Sequence, residues 1–185
     1  MTHQADTAAT NPNILQDFGA LEPVRIGLSE QTRSQGVRAL NRLLAHTMAI
    51  RDAYKKAHWQ TSGATFYELH LLFDKHYDEQ VVIMDALAER IQTLGGVTFA
   101  LGQDVADESS IARAPRARES ALAQLGRLTD AHETILLEAR PLARLAAEAG
   151  DDGTNDLIVS QVVRGNELQS WFIGQHLAAQ TRLAP

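Results

Sequence analysis

Five residues of the types that bind metal ions recur within one stretch of the chain. They are His58, His70, Asp74, Asp85 and Glu89. The sequence contains no cysteine, which excludes disulfides, thiolate metal sites and cysteine nucleophiles. Imidazoles and carboxylates are therefore the only strong ligands that the side chains offer to a transition metal.

The last four of these residues share one face of a predicted helix. Each residue advances by about 100° around a helix axis, which places Asp74, Asp85 and Glu89 within about 100° of His70. The adjacent stripe is apolar and is predicted to face the core; it consists of Leu69, Phe73, Ile83, Leu87 and Leu94. The polar residues therefore flank the core without pointing into it.

A single copy of this helix cannot bring all four to one ion. Asp74 and Asp85 lie about 16 Å apart along the axis, whereas metal–ligand bonds are near 2 Å. Two antiparallel copies related by a two-fold axis between residues 79 and 80 would place Asp74 opposite Asp85, and His70 opposite Glu89, of the other copy. Such an arrangement predicts two equivalent sites per dimer. The alternative is that these residues are ordinary solvated side chains of a bundle helix.

His58 lies in the stretch KKAHWQTSG, at the end of a different predicted helix. A short connection makes the two helices antiparallel neighbours, so that His58 can approach the end that carries His70 and Asp74. A lone histidine here would be a core or surface residue. With the other ligand types at complementary spacing, His58 is predicted to be a ligand. Lys55 and Lys56 either lie near the site or are solvated residues of the helix end, and the second role is the favoured prediction.

The elements that position these residues are predicted to be helical throughout. Ser29 is a predicted N-cap, from which apolar residues recur at helical spacing as far as Gln60. The second helix is predicted over residues 66–94, and Gly95-Gly96 ends it.

A long connection follows, in which the stretch DVADESS predicts a short helix. The third helix is predicted over residues 119–149, with a kink at Pro141. The fourth has Thr154 as its predicted cap and an inner stripe that continues through Leu168. The pattern predicts an all-α, ferritin-like four-helix bundle with a long crossover between the second and third helices. His46, His76, His132 and His176 are predicted to be packing or surface residues.

The length and charge limit the organisation and the partners. A chain of 185 residues is most simply one domain. It divides into a polar, flexible N-terminal arm (1–28), the bundle (29–181) and a short C-terminal tail (182–185). The net charge of -6 argues against attraction of the whole surface to nucleic acid or anionic lipid. The stretch MTHQADTAATNPN has neither the basic start nor the apolar run of a secretion signal, so a cytoplasmic protein is expected.

The spacing of the five ligand-type residues resembles the ferroxidase signature of the Dps family, the bacterial miniferritins. The stretches HYDE, AERIQTLGG, DDGTNDL and NELQSWFIGQHL are similar to that family as well, so that the resemblance spans residues 29–177. It implies a four-helix subunit assembled as a hollow dodecamer. Independently of the resemblance, no run of the sequence approaches the eighteen or so apolar residues needed to cross a membrane, so no membrane partner is expected. Fe(II) would be bound between two-fold-related subunits, oxidised preferably by hydrogen peroxide, and stored inside as a ferric mineral.

The resemblance also assigns the ligands. His58, His70 and Asp74 would come from one subunit, and Asp85 and Glu89 from its partner. Imidazoles and carboxylates with open coordination positions suit a redox-active iron that must admit peroxide. Zinc is a candidate competitor for the same ligands.

Two further roles have equally weighted alternatives. Trp59 would take part in electron transfer or radical trapping beside the site, or else pack at the end of its helix. Glu148, Asp151, Asp152 and Asp156 resemble the acidic lining of iron-entry pores at three-fold axes, or else form a solvated turn between helices.

Many Dps proteins bind DNA through Lys-rich arms, and this chain departs from that pattern. Its arm contains Arg25 as the one Lys or Arg, against Asp6, Asp17 and Glu22, and its tail contains only Arg182. Contacts to phosphates dominate non-specific binding, so DNA binding is expected to be weak or absent. The alternative function is that of a nucleoid-structural protein that binds and condenses DNA, and nucleoid association would then follow. A third possibility is an inert helical scaffold.

Overall fold

A computed structural model describes residues 12–181, and that part of the chain forms helices and no strands. The elements in chain order are α1 (Glu30–Gln60), α2 (Phe66–Thr93), α3 (Gly102–Glu108), α4 (Ala121–Glu148), α5 (Asp152–Leu157), a π-helical segment (Ile158–Val163) and α6 (Arg164–Thr181). The last three run on without a break and form the fourth long helix. The prediction of an all-α bundle whose long crossover carries a short helix is confirmed.

The ends of the helices follow the chemistry of their caps. The Ser29 hydroxyl accepts a hydrogen bond from the backbone N–H of Thr32 at 3.1 Å, which confirms the predicted N-cap. Gly95 has a φ of +81°, the left-handed conformation that ends α2. The predicted cap of the fourth helix is wrong. Asp151 caps it, because its carboxylate accepts from the backbone N–H of Thr154 at 3.0 Å.

The core contains the predicted stripe of α2, all five residues of which are buried. The stripe predicted for the fourth helix fails at Leu168, which is 49% exposed. Asn166 and Gln169 face the interior there in its place. The π-helical segment inserts extra chain into its turns and thereby changes which face of the following helix points inward. Apolar periodicity cannot detect an inner face that is polar.

Residues 12–28 of the predicted arm run against the end of α2. The Glu22 N–H donates to the Gly95 carbonyl at 2.8 Å, and Gln16 donates to the same oxygen at 3.0 Å. Arg33 donates to the carbonyls of both Glu22 and Leu94, each at 2.9 Å. Carbonyls at a helix end lack partners within the helix, and these donors satisfy them. This half of the arm is therefore attached, unlike the free chain that its composition predicts; residues 1–11 and the tail lie outside the described part.

The bundle is held together by buried apolar residues from all four long helices. Among the described helices, none combines the length and the apolar character needed to cross a membrane.

Candidate metal centre

Two histidines meet where α1 ends and α2 begins. The rings of His58 and His70 stack with their centroids 3.7 Å apart and an interplanar angle of 21°. The Nδ1 atom of His58 lies 2.8 Å from the backbone carbonyl of His70, and the Nδ1 atom of His70 lies 3.0 Å from that of His58. This reciprocal pair of hydrogen bonds ties the two helices together at the predicted site.

The carbonyl partners determine the tautomer of both rings. A carbonyl oxygen can only accept, so each Nδ1 carries a hydrogen. In a neutral imidazole the lone pair is then on Nε2. Metal-binding histidines are commonly oriented in this way, with the second ring nitrogen donating to a carbonyl. In the neutral rings of His58 and His70, Nε2 is therefore the nitrogen whose lone pair can serve a metal ion.

Asp74 lies beside the two rings, one of its carboxylate oxygens being 3.8 Å from Nδ1 of His58. The Lys55 ammonium pairs with the same oxygen and lies 4.5 Å from the centre of the Tyr77 ring. The hydrogen bond from Lys55 holds the pKa of Asp74 below its usual value, and the pKa of Lys55 is raised in return. Asp74 is thus a carboxylate at neutral pH, and Lys55 is a partner of the site, which differs from its prediction as a solvated residue.

Asp85 and Glu89 lie further along α2, and both are exposed. Within residues 12–181 of one chain, no three His, Asp or Glu side chains are arranged to hold a metal ion. A single chain thus brings together His58, His70 and Asp74 and leaves the other two predicted ligands elsewhere. These three side chains are the part of the predicted ligand set that one chain brings together, and we call them the half-site.

Trp59 follows the half-site at the end of α1 and is 69% exposed. It is therefore not packed in the core of its own chain.

The acidic residues around the start of α5 divide into two groups. Glu148, Asp152 and Asp156 are exposed. Asp151 is 2% exposed and pairs with Arg90 at 2.6 Å while it caps α5. Asp151 is therefore corrected from a pore residue to a structural one, because its carboxylate is committed to a guanidinium and a helix N-terminus.

A second polar cluster, which the sequence pattern does not predict, lies inside the bundle. Tyr54 contacts two buried histidines, its hydroxyl being 2.5 Å from Nε2 of His132 and 3.1 Å from Nδ1 of His76. Asn166 and Gln80 extend this cluster, which we call the interior network. His76 and His132 do pack inside, as predicted, but as hydrogen-bonded residues. The sequence feature that indicates such a cluster is the position of both histidines on the inner faces of their helices.

The chain is similar to ferritin-like proteins in both sequence and structure. Residues 37–183 match the family model of the ferritin-like domain. DpsC from Streptomyces coelicolor has a solved structure that is similar with a TM-score of 0.88 and 47% identity, covering 89% of this chain and 95% of that one.

Two more relatives are informative by their descriptions. The DNA protection during starvation protein of Porphyromonas gingivalis is 31% identical over 152 residues, which are 81% of this chain and 93% of that protein. The Dps protein of Vibrio cholerae O1 is described as a member of a broad superfamily of ferritin-like diiron-carboxylate proteins. It has a TM-score of 0.79 and 28% identity, covering 85% of this chain and 98% of that one.

Proposed function

The chain belongs to the Dps family of ferritin-like proteins, and from this premise we propose that it is a miniferritin that oxidises Fe(II). Hydrogen peroxide is the preferred oxidant, and the ferric product is stored in a hollow shell of twelve subunits. Its role is to protect the cell from oxidative damage. The reaction takes place at sites shared by two subunits.

The orientation of His58 and His70 is the observation that supports this proposal most. Packing of the two stacked rings alone would not require both histidines to have the same tautomer. Here both Nδ1 atoms are bound by carbonyls, and the Nε2 atoms are left for a ligand. Asp74 adds an ionised carboxylate beside them. Two imidazole nitrogens and a carboxylate are a suitable partial ligand set for Fe(II).

The missing ligands are supplied by a second copy of α2 in the proposed dimer. The exposed face of α2 carries Asp85 and Glu89 together with two exposed apolar residues, Leu71 (50%) and Val82 (65%). Apolar side chains on an exposed helix face favour burial against a partner. The same antiparallel contact that covers them brings Asp85 and Glu89 to the half-site of the other subunit. We expect the dimer to be the smallest stable unit, and sedimentation that finds a monomer at micromolar concentration would contradict this.

Each ligand has a defined task in the proposed reaction. The imidazoles bind Fe(II) without adding charge, whereas Asp74, Asp85 and Glu89 offset the positive charge that grows as iron is oxidised. Lys55 releases Asp74 when the metal ion arrives. Hydrogen peroxide takes one electron from each of two Fe(II) ions, and its O–O bond breaks to give two hydroxides. Glu148, Asp152 and Asp156 attract Fe(II) to the entry of the shell.

The test uses two variants, each of which is expected to be nearly inactive. His58→Ala and Asp85→Ala should both slow peroxide-driven Fe(II) oxidation strongly while the shell still assembles, because neither residue belongs to the core. If the two residues serve one site from different subunits, a mixed dimer has one doubly damaged site and one intact site. Random reassembly of the two variants should therefore restore about a quarter of the wild-type sites.

Absence of recovery, with reassembly verified by light scattering, would exclude a site shared between chains. A mixture of His58→Ala with His70→Ala is the matched control. Both residues come from the same half-site, so that every site in a mixed dimer lacks one ligand and no activity returns.

A nucleoid-structural function is the alternative, because a relative is named for the protection of DNA during starvation. The charge of this chain argues against it, since the described part of the arm has Arg25 as its one Lys or Arg. We expect no shift of linear DNA at physiological salt in the presence of a chelator, which removes bridging by divalent ions. Retardation that disappears when residues 1–28 are deleted would favour the alternative.

A further inference from the structure

The interior network is centred on Tyr54, a residue that has no role in the proposed ferroxidase site. Tyr54 and both of its histidine partners are 0% exposed. Its ring lies 5.2 Å from that of His76 and 5.7 Å from that of His132, measured between centroids. Three long helices, α1, α2 and α4, supply the three side chains.

The position of each proton in this network follows from Asn166. The Asn166 amide nitrogen donates to the Val162 carbonyl at 2.7 Å, so the amide oxygen faces His132 and accepts from its Nδ1 at 2.8 Å. Nδ1 of His132 therefore carries the hydrogen, and Nε2 has the lone pair. The Tyr54 hydroxyl donates to that Nε2. His76 in turn donates from Nδ1 to the Tyr54 oxygen.

Burial keeps both Tyr54 and His132 uncharged at neutral pH. It lowers the pKa of His132 to about 4 and raises the pKa of Tyr54 well above its ordinary value of 10.0. At neutral pH the network thus holds a phenol whose proton points at a vacant imidazole nitrogen. A phenol that loses an electron becomes a strong acid, and this base is placed to take the proton at once.

The network lies close to the half-site. Tyr54 precedes His58 by one turn of α1, about 6 Å along the axis. Its ring is 6.1 Å from that of Phe73, which is the neighbour of Asp74 in the chain. The π-helical segment, a rare conformation that is frequent at functional sites, ends just before Asn166. It brings into the core the amide that orients His132.

We propose that Tyr54 is an internal one-electron donor, and that His132 accepts its proton when peroxide meets a site that holds a single Fe(II). This proposal rests on the proposed ferroxidase function. Peroxide needs two electrons to break its O–O bond without releasing a hydroxyl radical. One Fe(II) supplies the first and becomes Fe(III). Tyr54 supplies the second, becoming a neutral tyrosyl radical, while His132 becomes imidazolium. The peroxide leaves as two hydroxides, so that charge and atoms balance.

Tyr54 differs from the other two tyrosines of the chain in its surroundings. Tyr67 is 69% exposed, and Tyr77 is half-buried below the Lys55 ammonium. Neither Tyr67 nor Tyr77 shares the buried histidine pair of Tyr54. They are therefore suitable matched controls.

The experiment loads the assembled, iron-free shell with one Fe(II) per site without oxygen, adds hydrogen peroxide and freezes the sample within milliseconds. Electron paramagnetic resonance should detect a tyrosyl radical in the wild type, whose spectrum narrows when the protein is produced with ring-deuterated tyrosine. Tyr54→Phe should lose the signal and release more hydroxyl radical to a spin trap. Tyr67→Phe and Tyr77→Phe should keep the wild-type signal.

The outcomes separate this proposal from the function on which it rests. Iron oxidation at saturating Fe(II) should persist in Tyr54→Phe, because two Fe(II) ions then supply both electrons. If the wild type did not oxidise Fe(II), the proposed ferroxidase function itself would be overturned. Oxidation without a tyrosyl radical in the wild type, or with a radical that survives in Tyr54→Phe, would overturn the role of Tyr54 alone. The labelled wild type decides the first point even if a variant does not fold.

Discussion

The half-site and the interior network both contain histidines, but the ring nitrogens of these histidines have different partners. In the half-site, His58 and His70 use only Nδ1 within the chain, and Asp74 remains partly open to solvent. In the interior network, His132 uses both ring nitrogens. Two polar atoms of the network have no hydrogen-bond partner among the described residues. They are Nε2 of His76 and the side-chain oxygen of Gln80.

The type of a residue alone therefore does not identify a candidate metal site. An imidazole is a candidate metal ligand when the protein holds one nitrogen and the ring lies beside a carboxylate at the edge of the bundle, as His58 and His70 do. Nε2 of His76 is also without a partner, but that ring is buried in the core. An imidazole with both nitrogens engaged in the core stabilises the fold and specifies how the helices align. The experiments that follow test this distinction between the two regions.

The largest difference is expected between His58→Ala and His132→Ala. Loss of His132 removes the partners of the Tyr54 hydroxyl and the Asn166 amide and leaves a cavity, which should cost about 3–5 kcal/mol of subunit stability. Loss of His58, a residue at the edge of the bundle, removes one hydrogen bond between helices and should cost less, about 1–2 kcal/mol. It should lower the oxidation rate by about a hundredfold. Urea unfolding and stopped-flow absorbance measure the two effects.

The comparison breaks down if His132→Ala is as stable as the wild type, or if His58→Ala unfolds as readily as His132→Ala. At saturating Fe(II), folded His132→Ala should retain its oxidation rate, which provides the reciprocal control.

The pH dependence of stability should follow the interior network. Burial lowers the pKa of His132 to about 4, whereas an imidazole in the unfolded chain titrates near 6.5. Between these values the unfolded chain binds the extra proton, so stability falls as pH decreases. The loss attributable to His132 approaches about 1.4 kcal/mol per pH unit. Unfolding midpoints between pH 7 and 5, above the range in which carboxylates dominate, measure the slope.

His132→Gln cannot take up a proton, and its stability should depend less steeply on pH than that of the wild type. An unchanged slope in this variant would mean that other groups cause the acid sensitivity.

The smallest effect is expected at Lys55, which competes with a metal ion for Asp74. Lys55→Gln removes the ammonium but keeps a polar side chain of similar reach. The pair is exposed to solvent, which screens the attraction between the two charges, so metal binding should tighten by no more than several-fold. Titration with Zn²⁺, which is not oxidised, measures the affinity. Lys56→Gln is the matched control, because Lys56 pairs with Gln60 rather than with Asp74. Weaker binding in Lys55→Gln would show that Lys55 assists the metal ion.

The bundle and the identity of the candidate ligands follow from local patterns in the sequence. Apolar residues at helical spacing mark the inner faces, and Ser29 and Gly95 end helices by local hydrogen bonding and backbone conformation. Both signals act over a few residues. The spacing of His70, Asp74 and Asp85 along one helix is likewise a local property, from which the need for a second chain follows by length alone.

The partners of these side chains, in contrast, follow from how the helices pack against one another. The tautomers of His58 and His70 depend on carbonyls of the opposite helix, and the burial of Asp151 depends on Arg90, which is distant in sequence. The inner face of α6 became polar because the π-helical segment changed its register and Asn166 found partners on other helices. Periodicity states which face a residue occupies. It does not state which atom of another helix lies opposite, because that depends on the register between helices, which is set when they pack.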